Sequence, residues 1–569
     1  MKPTPALLAC LTLAAAASAQ TELYTKKGLI HGAFGWSARM ISDVDNDGHA
    51  DLVVGAPWSD DDAGRAFVLS GFDGSNLHKF FGDAFPNRLG ESVTGVGDVS
   101  GDGVEDLLVG AINRAGLTSF AGYARLYSGD DGVELREHQG GGPGDSFGYA
   151  VTGVGDLDQD GTPDYAISAT EIWLGGNGTV RVYSGASGAE ILGIEGLGSL
   201  DQFGYAVDSA GDFDLDGTPD LIVGGPEFLA PTIGYAVVVS GQEALDFGNP
   251  LIQLSSPAVI ASDIVALTLP GDDLDGAFGS SVCVIDDVND DGTPDVLVGS
   301  PLDDAGGTFS GSADVYSGAD GTLIRTHENG NNFDQYGHSV AFAGDVDGDD
   351  VPDYIVGAKQ SEGWGFHPEV GYGDGYADVR SGATGDVLFS LTGPSYGSLF
   401  GFVVRGGGDV NGDGAPDFLA TAPWDDGMNG AITLYSGIAA ISDYGGGCAG
   451  SGGVVPELAM SCSPVPGGPL QLEVSGGLGG SLALVLLGTG AGDLPLLGGC
   501  SLLVAPVPVQ PTVSAPLAGV AAGEGACTID AVLPDSAVPG LTLSFQTVVL
   551  DPGVGQGFSA TNGCLLTIP

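Results

Sequence analysis

Seven acidic loops of nine residues carry the side chains of this chain that could do chemistry. The first reads Asp43-Val44-Asp45-Asn46-Asp47-Gly48-His49-Ala50-Asp51, and the others start at Asp98, Asp156, Asp212, Asp287, Asp345 and Asp409. Position 1 is Asp in every copy. Position 3 is Asp45, Ser100, Asp158, Asp214, Asn289, Asp347 and Asn411. Position 5 is Asp47, Asp102, Asp160, Asp216, Asp291, Asp349 and Asp413, and position 9 is Asp51, Asp106, Asp164, Asp220, Asp295, Asp353 and Asp417. Alternate residues of a tightly curled loop point inward, so this spacing aims four side-chain oxygen groups at one point. A hard cation taking six to eight oxygens suits such a loop, which means Ca²⁺ before Mg²⁺. Zinc wants Cys or His ligands, and these positions supply none.

The variation among copies fits the same chemistry. Position 7 changes freely (His49, Val104, Thr162, Thr218, Thr293, Val351, Ala415), as expected where the ligand is a backbone carbonyl. Position 6 needs a sharp turn and is Gly in all copies but one. Asp350 stands there in the loop that starts at Asp345, which makes that site the one that departs from the pattern. Up to seven Ca²⁺ ions are expected. The bland alternative is a set of solvated Asp/Asn/Gly turns. Seven copies in fixed register, each followed by an apolar run, weigh against it. An EF-hand is disfavoured because its loop has twelve residues, ends in Glu and lies between helices.

The elements that must position these loops read as β-strands. Leu52-Val53-Val54-Gly55, Leu107-Leu108-Val109-Gly110, Leu221-Ile222-Val223-Gly224 and Val296-Leu297-Val298-Gly299 follow directly on their loops. Each unit reads as Phe-Gly, an apolar stretch, the acidic loop, an apolar strand, then Gly-Ala-Pro, a variable loop and a strand running into Tyr-Ser-Gly. Phe34-Gly35, Phe147-Gly148, Phe203-Gly204, Phe278-Gly279 and Phe400-Gly401 open five units, with Tyr336-Gly337 a variant and Leu89-Gly90 a departure. Short strands, Gly-rich turns and almost no helical periodicity indicate an all-β repeat architecture. Seven four-stranded sheets around an axis make a propeller, which protects most strand edges. The segment Glu22–Ile30 resembles Tyr316–Ile324 and is expected to complete the last blade, whose own sequence fades after Gly437.

These motifs resemble the FG-GAP repeats of the integrin α-subunit N-terminal β-propeller, over about residues 22–440. The resemblance implies a seven-bladed propeller with Ca²⁺ loops on its lower rim. Integrin α chains usually keep the acidic loop in only some blades; seven intact loops look more like prokaryotic relatives. The Gly-Ala-Pro motif is degenerate in several units, as at Ser168-Ala169-Thr170 and Gly224-Gly225-Pro226.

Composition sets the compartment and the partners. The chain has 569 residues and a formal net charge of −59. The loop positions above hold 25 carboxylates. Seven Ca²⁺ bring back +14 and leave about −45, which repels phosphate backbones and anionic membrane surfaces, so nucleic acid is not an expected partner. Residues 1–19 read as a signal peptide: Lys2, the apolar Ala6–Ala17, then Ala17-Ser18-Ala19 before Gln20. Cys10 offers a weak lipidation alternative. No later segment has the length and continuity of a membrane span. The protein is expected to be secreted, extracellular or at the cell surface. The propeller is assigned to residues 20–440 and a compact C-terminal β-sandwich-like domain to residues 441–569. Cys448, Cys462, Cys500, Cys527 and Cys564 fall in that domain without an accompanying His, which suggests disulfides in an exported chain. Their odd number leaves one for an unpaired or intermolecular role in an otherwise monomeric protein. Cys283 is expected to be a buried free thiol.

No enzyme is read here. The seven His residues show no zinc or triad spacing, and the paired carboxylates are accounted for by the metal loops. Gly140–Gly142 lacks the strand–Gly–helix context of a phosphate loop. Binding is better motivated. The segments after Gly-Ala-Pro should project from the rim opposite the acidic loops, and they carry Trp58, Trp173, Trp364, Phe366 and Trp424 as ligand-face candidates. The competing reading packs each of them between blades. The expected function is a non-enzymatic adhesion or recognition module for an extracellular protein or surface ligand. The alternatives are a lectin-like glycan binder and a hydrolase or lyase with an unrecognised site.

Overall fold

The computed structural model describes residues 22–28, 31–112, 121–171, 176–198, 200–226, 233–246, 251–254, 264–271, 276–329, 331–347, 349, 351–361, 373–411 and 416–437, and beyond these Pro456 and the strands of the C-terminal region. The signal peptide reading, Asp350 and Asp413 lie outside the described residues, as do Trp173, Trp364 and Phe366. The chain divides into two compact units, one built from Thr21–Val346 and Asp350–Gly437, the other chiefly from Ile438–Pro569.

The larger unit is a seven-bladed β-propeller. Blade 1 is the meander Ser37–Ile41, Asp51–Ala56, Arg65–Leu69 and Asn76–Phe81. Blades 2, 3, 5 and 6 repeat it from Leu89, Phe147, Ser281 and Tyr336. Blade 4 runs Ala206–Gly211, Asp220–Gly225, Tyr235–Val239 and, after a long excursion, Val265–Pro270. That excursion sets Ile252–Gln253 in parallel against Glu190–Glu195, on the outer edge of blade 3. Blade 7 has three strands from its own region, Val404–Gly408, Asp417–Ala422 and Ala431–Tyr435, and takes its fourth, Glu22–Lys27, from the start of the chain. The expected closure is therefore present, with Tyr24 opposite Leu434 and Lys27 opposite Ala431.

The second strand of each blade is buried at every position, because both sheet faces pack against neighbouring blades. Such strands read as continuous apolar runs rather than alternating ones. Among the described residues of this unit the core is divided accordingly into seven apolar clusters, one in each joint between adjacent blades. The opening residue of each repeat fills one joint: Phe34, Phe147, Phe203, Phe278, Tyr336 and Phe400 are at most 3 % exposed. Leu89, the departure in the sequence, occupies the same slot at 0 %.

The Gly-Ala-Pro and Phe-Gly motifs form one inter-blade joint. A Cβ on Gly55 would lie 2.0 Å from the carbonyl oxygen of Gly90, and one on Gly299 would lie 1.9 Å from that of Gly337. The Phe-Gly glycines are themselves left-handed, with φ from 80° to 92° across all seven blades. Where the second-strand glycine is replaced, a hydroxyl takes over a different task. Ser168 Oγ accepts from Ala150 N–H at 2.9 Å, and Thr421 Oγ1 accepts from Val403 N–H at 3.1 Å.

The smaller unit is also all-β and antiparallel. Ile441–Tyr444, Phe558–Thr567, Thr542–Leu550, Leu482–Gly488 and Gln510–Pro516 form a five-stranded sheet in that order. Glu457–Cys462, Pro469–Leu478 and Ala522–Val532 form a second sheet of three strands, and Ala491–Pro495 pairs with Ser501–Val504. Among the described residues, no helix is long and apolar enough to cross a membrane.

Candidate functional site

Each acidic loop joins the first strand of a blade to its buried second strand, which begins at or just after loop position 9. That position is the most constrained. Asp51, Asp106, Asp164, Asp220, Asp295, Asp353 and Asp417 are all 0 % exposed. In every copy one carboxylate oxygen accepts the backbone N–H of loop position 2, as from Val44 at 2.8 Å and Val346 at 2.7 Å. The other oxygen accepts the N–H of the glycine after the third strand, as from Gly71 at 2.9 Å and Gly185 at 2.8 Å. A charged acceptor makes each such bond worth about 1.5–3 kcal/mol. The glycine is required by proximity: a Cβ on Gly71, Gly185 or Gly437 would sit 1.8, 1.9 or 1.7 Å from the carbonyl oxygen of loop position 8. The serine before it reaches position 5, with Ser317 Oγ donating to Asp291 Oδ2 at 2.8 Å and Ser128 Oγ to Asp102 Oδ2 at 3.2 Å. Tyr-Ser-Gly is thus the second half of the loop's clamp.

The loop also organises itself. Position 1 accepts the N–H of position 6, as Asp43 does from Gly48 at 2.8 Å and Asp287 from Gly292 at 2.6 Å. Position 5 accepts from position 7, as Asp216 does from Thr218 at 2.8 Å. Two loop residues turn left-handed. One is position 6 (Gly48, Gly103, Gly161, Gly217, Gly292), as expected; the other is position 4 (Asn46, Gly101, Gln159, Leu215, Asp290), which the sequence did not single out.

Among the described residues, carboxylate oxygens converge in five of the loops. Asp43, Asp45 and Asp51 bring oxygens within 4.8 Å of one another, as do Asp156, Asp158 and Asp164; Asp212, Asp214 and Asp220; Asp287, Asp291 and Asp295; and Asp345, Asp347 and Asp353. Ligands of one Ca²⁺ at about 2.3–2.6 Å lie no more than about 5 Å apart, so the spacing and the hard donor set fit that ion. Asp47, Asp160, Asp216 and Asp349 stand outside these tight groups. In the fifth loop Asn289 stands at position 3, and Asp291 takes the third place. In the second loop Ser100 breaks the carboxylate triplet; Asp98 and Asp102 accept loop N–H groups there. In the seventh, Asn411 Nδ2 donates to Ser436 Oγ at 2.9 Å beside Asp409 and Asp417. Burial pushes Asp51, Asp164, Asp220 and Asp295 up to about 6; their backbone donors oppose the rise and neighbouring loop carboxylates add to it. A cation would relieve both contributions that raise them.

At the opposite ends of the second strands lies an aromatic group. Trp58 and Trp424 are half-buried, 6.3 Å apart between ring centres, and Trp36 lies 5.6 Å from Trp58 and 4.7 Å from Phe402. The Arg88 guanidinium sits 5.2 Å over the Trp58 ring. Both described ligand-face candidates therefore pack partly on neighbouring blades and keep part of their surface exposed. Cys283 is a buried free thiol, and burial pushes its pKa up to about 12.

The FG-GAP repeat family matches residues 34–69 and 278–316. Integrin alpha-V of Gallus gallus is 30 % identical over 203 residues, which is 32 % of this chain and 19 % of that protein. Integrin alpha-IIb of Homo sapiens is 33 % identical over 252 residues, 39 % of this chain and 23 % of that protein. Integrin alpha-5 of Xenopus laevis is 29 % identical over 223 residues, 37 % of this chain and 20 % of that protein. The chain spans about a fifth of the length of these relatives. It is a seven-bladed β-propeller that carries FG-GAP repeats and is similar, across part of its length, to integrin alpha chains.

Proposed function

We propose that the chain is a secreted, Ca²⁺-stabilised, non-enzymatic adhesion or recognition module whose ligand is an extracellular protein or surface. The observation that carries the reading is the division of labour between the two ends of the blades. One end holds seven clamped acidic loops in register; the other presents half-buried aromatic rings on short loops. Similarity to integrin alpha chains supports the same reading. The metal residues would be those of positions 1, 3, 5 and 9 in each loop, with the position-7 carbonyl. Ca²⁺ would neutralise the converging carboxylates and hold the loops, and so the strands, in register.

The test is binding to cell-surface extracts by the purified protein, with Ca²⁺ and with chelator. Trp424→Ala and Trp58→Ala should reduce capture at least tenfold while the Ca²⁺-dependent rise in melting temperature persists. Undiminished capture by both variants would reject this face as the recognition surface.

A further inference from the structure

A second polar constellation lies on the propeller axis, away from the acidic loops. The innermost strands enclose a cavity of about 240 Å³. Its mouth is lined by Trp36, Tyr149, Tyr205 and Phe402, each following a Phe-Gly-type turn. Deeper in stand Arg39 of blade 1, Asp208 of blade 4 and Arg405 of blade 7. Arg39 and Asp208 form a two-pronged ion pair across the axis, at 2.7 and 3.1 Å, and Thr152 Oγ1 adds a bond to Asp208 at 3.2 Å. Asp208 is thereby committed to Arg39. Arg405 has no such partner: Nη1 donates to the carbonyl of Val404 at 2.8 Å, and the buried Nε finds no acceptor. Burial and the field of Arg39 pull the Arg405 pKa down to about 10 against the opposing field of Asp208, so the guanidinium stays charged at neutral pH.

The local charge balance runs against the molecule. The chain has 15 basic and 74 acidic residues, yet the described lining carries Arg39, Arg405 and Lys359 beside Asp208 and Glu91. Lys359 occupies the position where the repeat usually has Pro; it is 2 % exposed, with Nζ 5.4 Å from the centre of the Phe402 ring. His338 adds no charge, because burial holds its pKa well below the ordinary value. Two guanidiniums, Arg39 and Arg405, thus share the single Asp208 carboxylate, whose hydrogen-bonding side-chain partners are Arg39 and Thr152; a further carboxylate matches the fork of Arg405 with two parallel bonds. The negative charge elsewhere repels anions in general, so an anion that enters here must be drawn by this site.

From this geometry we infer that the axial cavity is a carboxylate-binding site, with Arg405 as the anchoring residue and the aromatic mouth enclosing the aliphatic stem of the ligand. Its ligand is a free short-chain acid or an acidic side chain of a partner protein. The inference concerns the small-ligand chemistry of this cavity and stands whether or not the module is adhesive.

The test is titration calorimetry on the Ca²⁺-loaded full chain with propionate, N-acetyl-glutamate amide, N-acetyl-glutamine amide and propylammonium. The two carboxylates should bind with millimolar or better affinity, and the amide and the cation at least tenfold more weakly. Propionate equal to the blocked glutamate would point to a free acid; a tighter blocked glutamate would point to a partner side chain. Arg405→Gln should weaken carboxylate binding at least tenfold, Lys359→Met about threefold, and Arg181→Gln, on the third strand of blade 3 and outside this cavity, not at all. Absence of carboxylate binding, equal binding of the four probes, or full affinity in a folded Arg405→Gln protein would overturn the inference. The selectivity of the unmodified chain decides the matter should that variant fail to fold.

Discussion

At the residue scale, the loop aspartates divide into ion-facing and clamping members, and the sequence pattern shows both as the same letter. Position 9 reads as one more cation ligand, whereas one of its oxygens also holds the N–H of loop position 2 and the other the third-strand turn in all seven blades. The matching glycines recur in every repeat and were legible, but only the 1.7–2.1 Å approach to the position-8 carbonyl explains them. Gly185→Ala should therefore destabilise the propeller by roughly 3 kcal/mol or more, measured by denaturant unfolding at constant Ca²⁺. Histidines give a separate residue-scale effect. His138 and His327 sit on the fourth strands of blades 2 and 5, bonded to the hydroxyls of Tyr165 and Tyr354 in the next blade at 2.9 and 2.7 Å. Those hydroxyls accept from Arg136 and Arg325, which leaves them to donate to neutral imidazoles. Burial pulls the two pKa values down to about 4 and about 3. A depressed folded-state pKa contributes stability above the unfolded value of about 6.5 and loses it as pH falls toward 4. The double variant His138→Gln/His327→Gln should flatten the fall in melting temperature between pH 6.5 and 4 in Ca²⁺-saturated samples. An unchanged slope would place the acid sensitivity elsewhere.

At the element scale, strand and loop order were readable because each blade is a local meander with turn chemistry between apolar runs. The closing strand was readable too, since Glu22–Lys27 repeats a pattern found near Tyr316–Ile324. What escaped were contacts that depend on the ring itself. The Arg39–Asp208 pair joins residues 169 positions apart, and no local pattern marks either one. The strand Ile252–Gln253, added to blade 3 from an excursion of blade 4, has only two residues and no repeat counterpart. Deleting residues 22–27 removes the outer strand of blade 7 and uncovers the cluster holding Leu23 and Tyr24. The melting temperature should fall by roughly 10 °C, since a loss of several kcal/mol moves a large domain a few degrees each. A melt within 2 °C of the intact protein would mean that the ring does not depend on this strand.

At the scale of the whole molecule, the formal charge is −59, and 25 of the carboxylates stand at the loop positions. Any ion bound only by the folded loops adds stability as the logarithm of its concentration. Chelator should lower the melting temperature, and the midpoint should climb steadily with added Ca²⁺ through the millimolar range expected of extracellular sites. Mg²⁺ at equal concentration should do less, because it holds its waters more tightly and demands stricter geometry. Indifference of the melt to both ions would remove the cation from the account of this fold. The ring closure has a further consequence, for biosynthesis. Glu22 pairs with Tyr435, so during synthesis this strand must wait for a partner made more than four hundred residues later. Until then one sheet edge stays open at each end of a growing arc, and premature release would yield chains able to complete one another's rings.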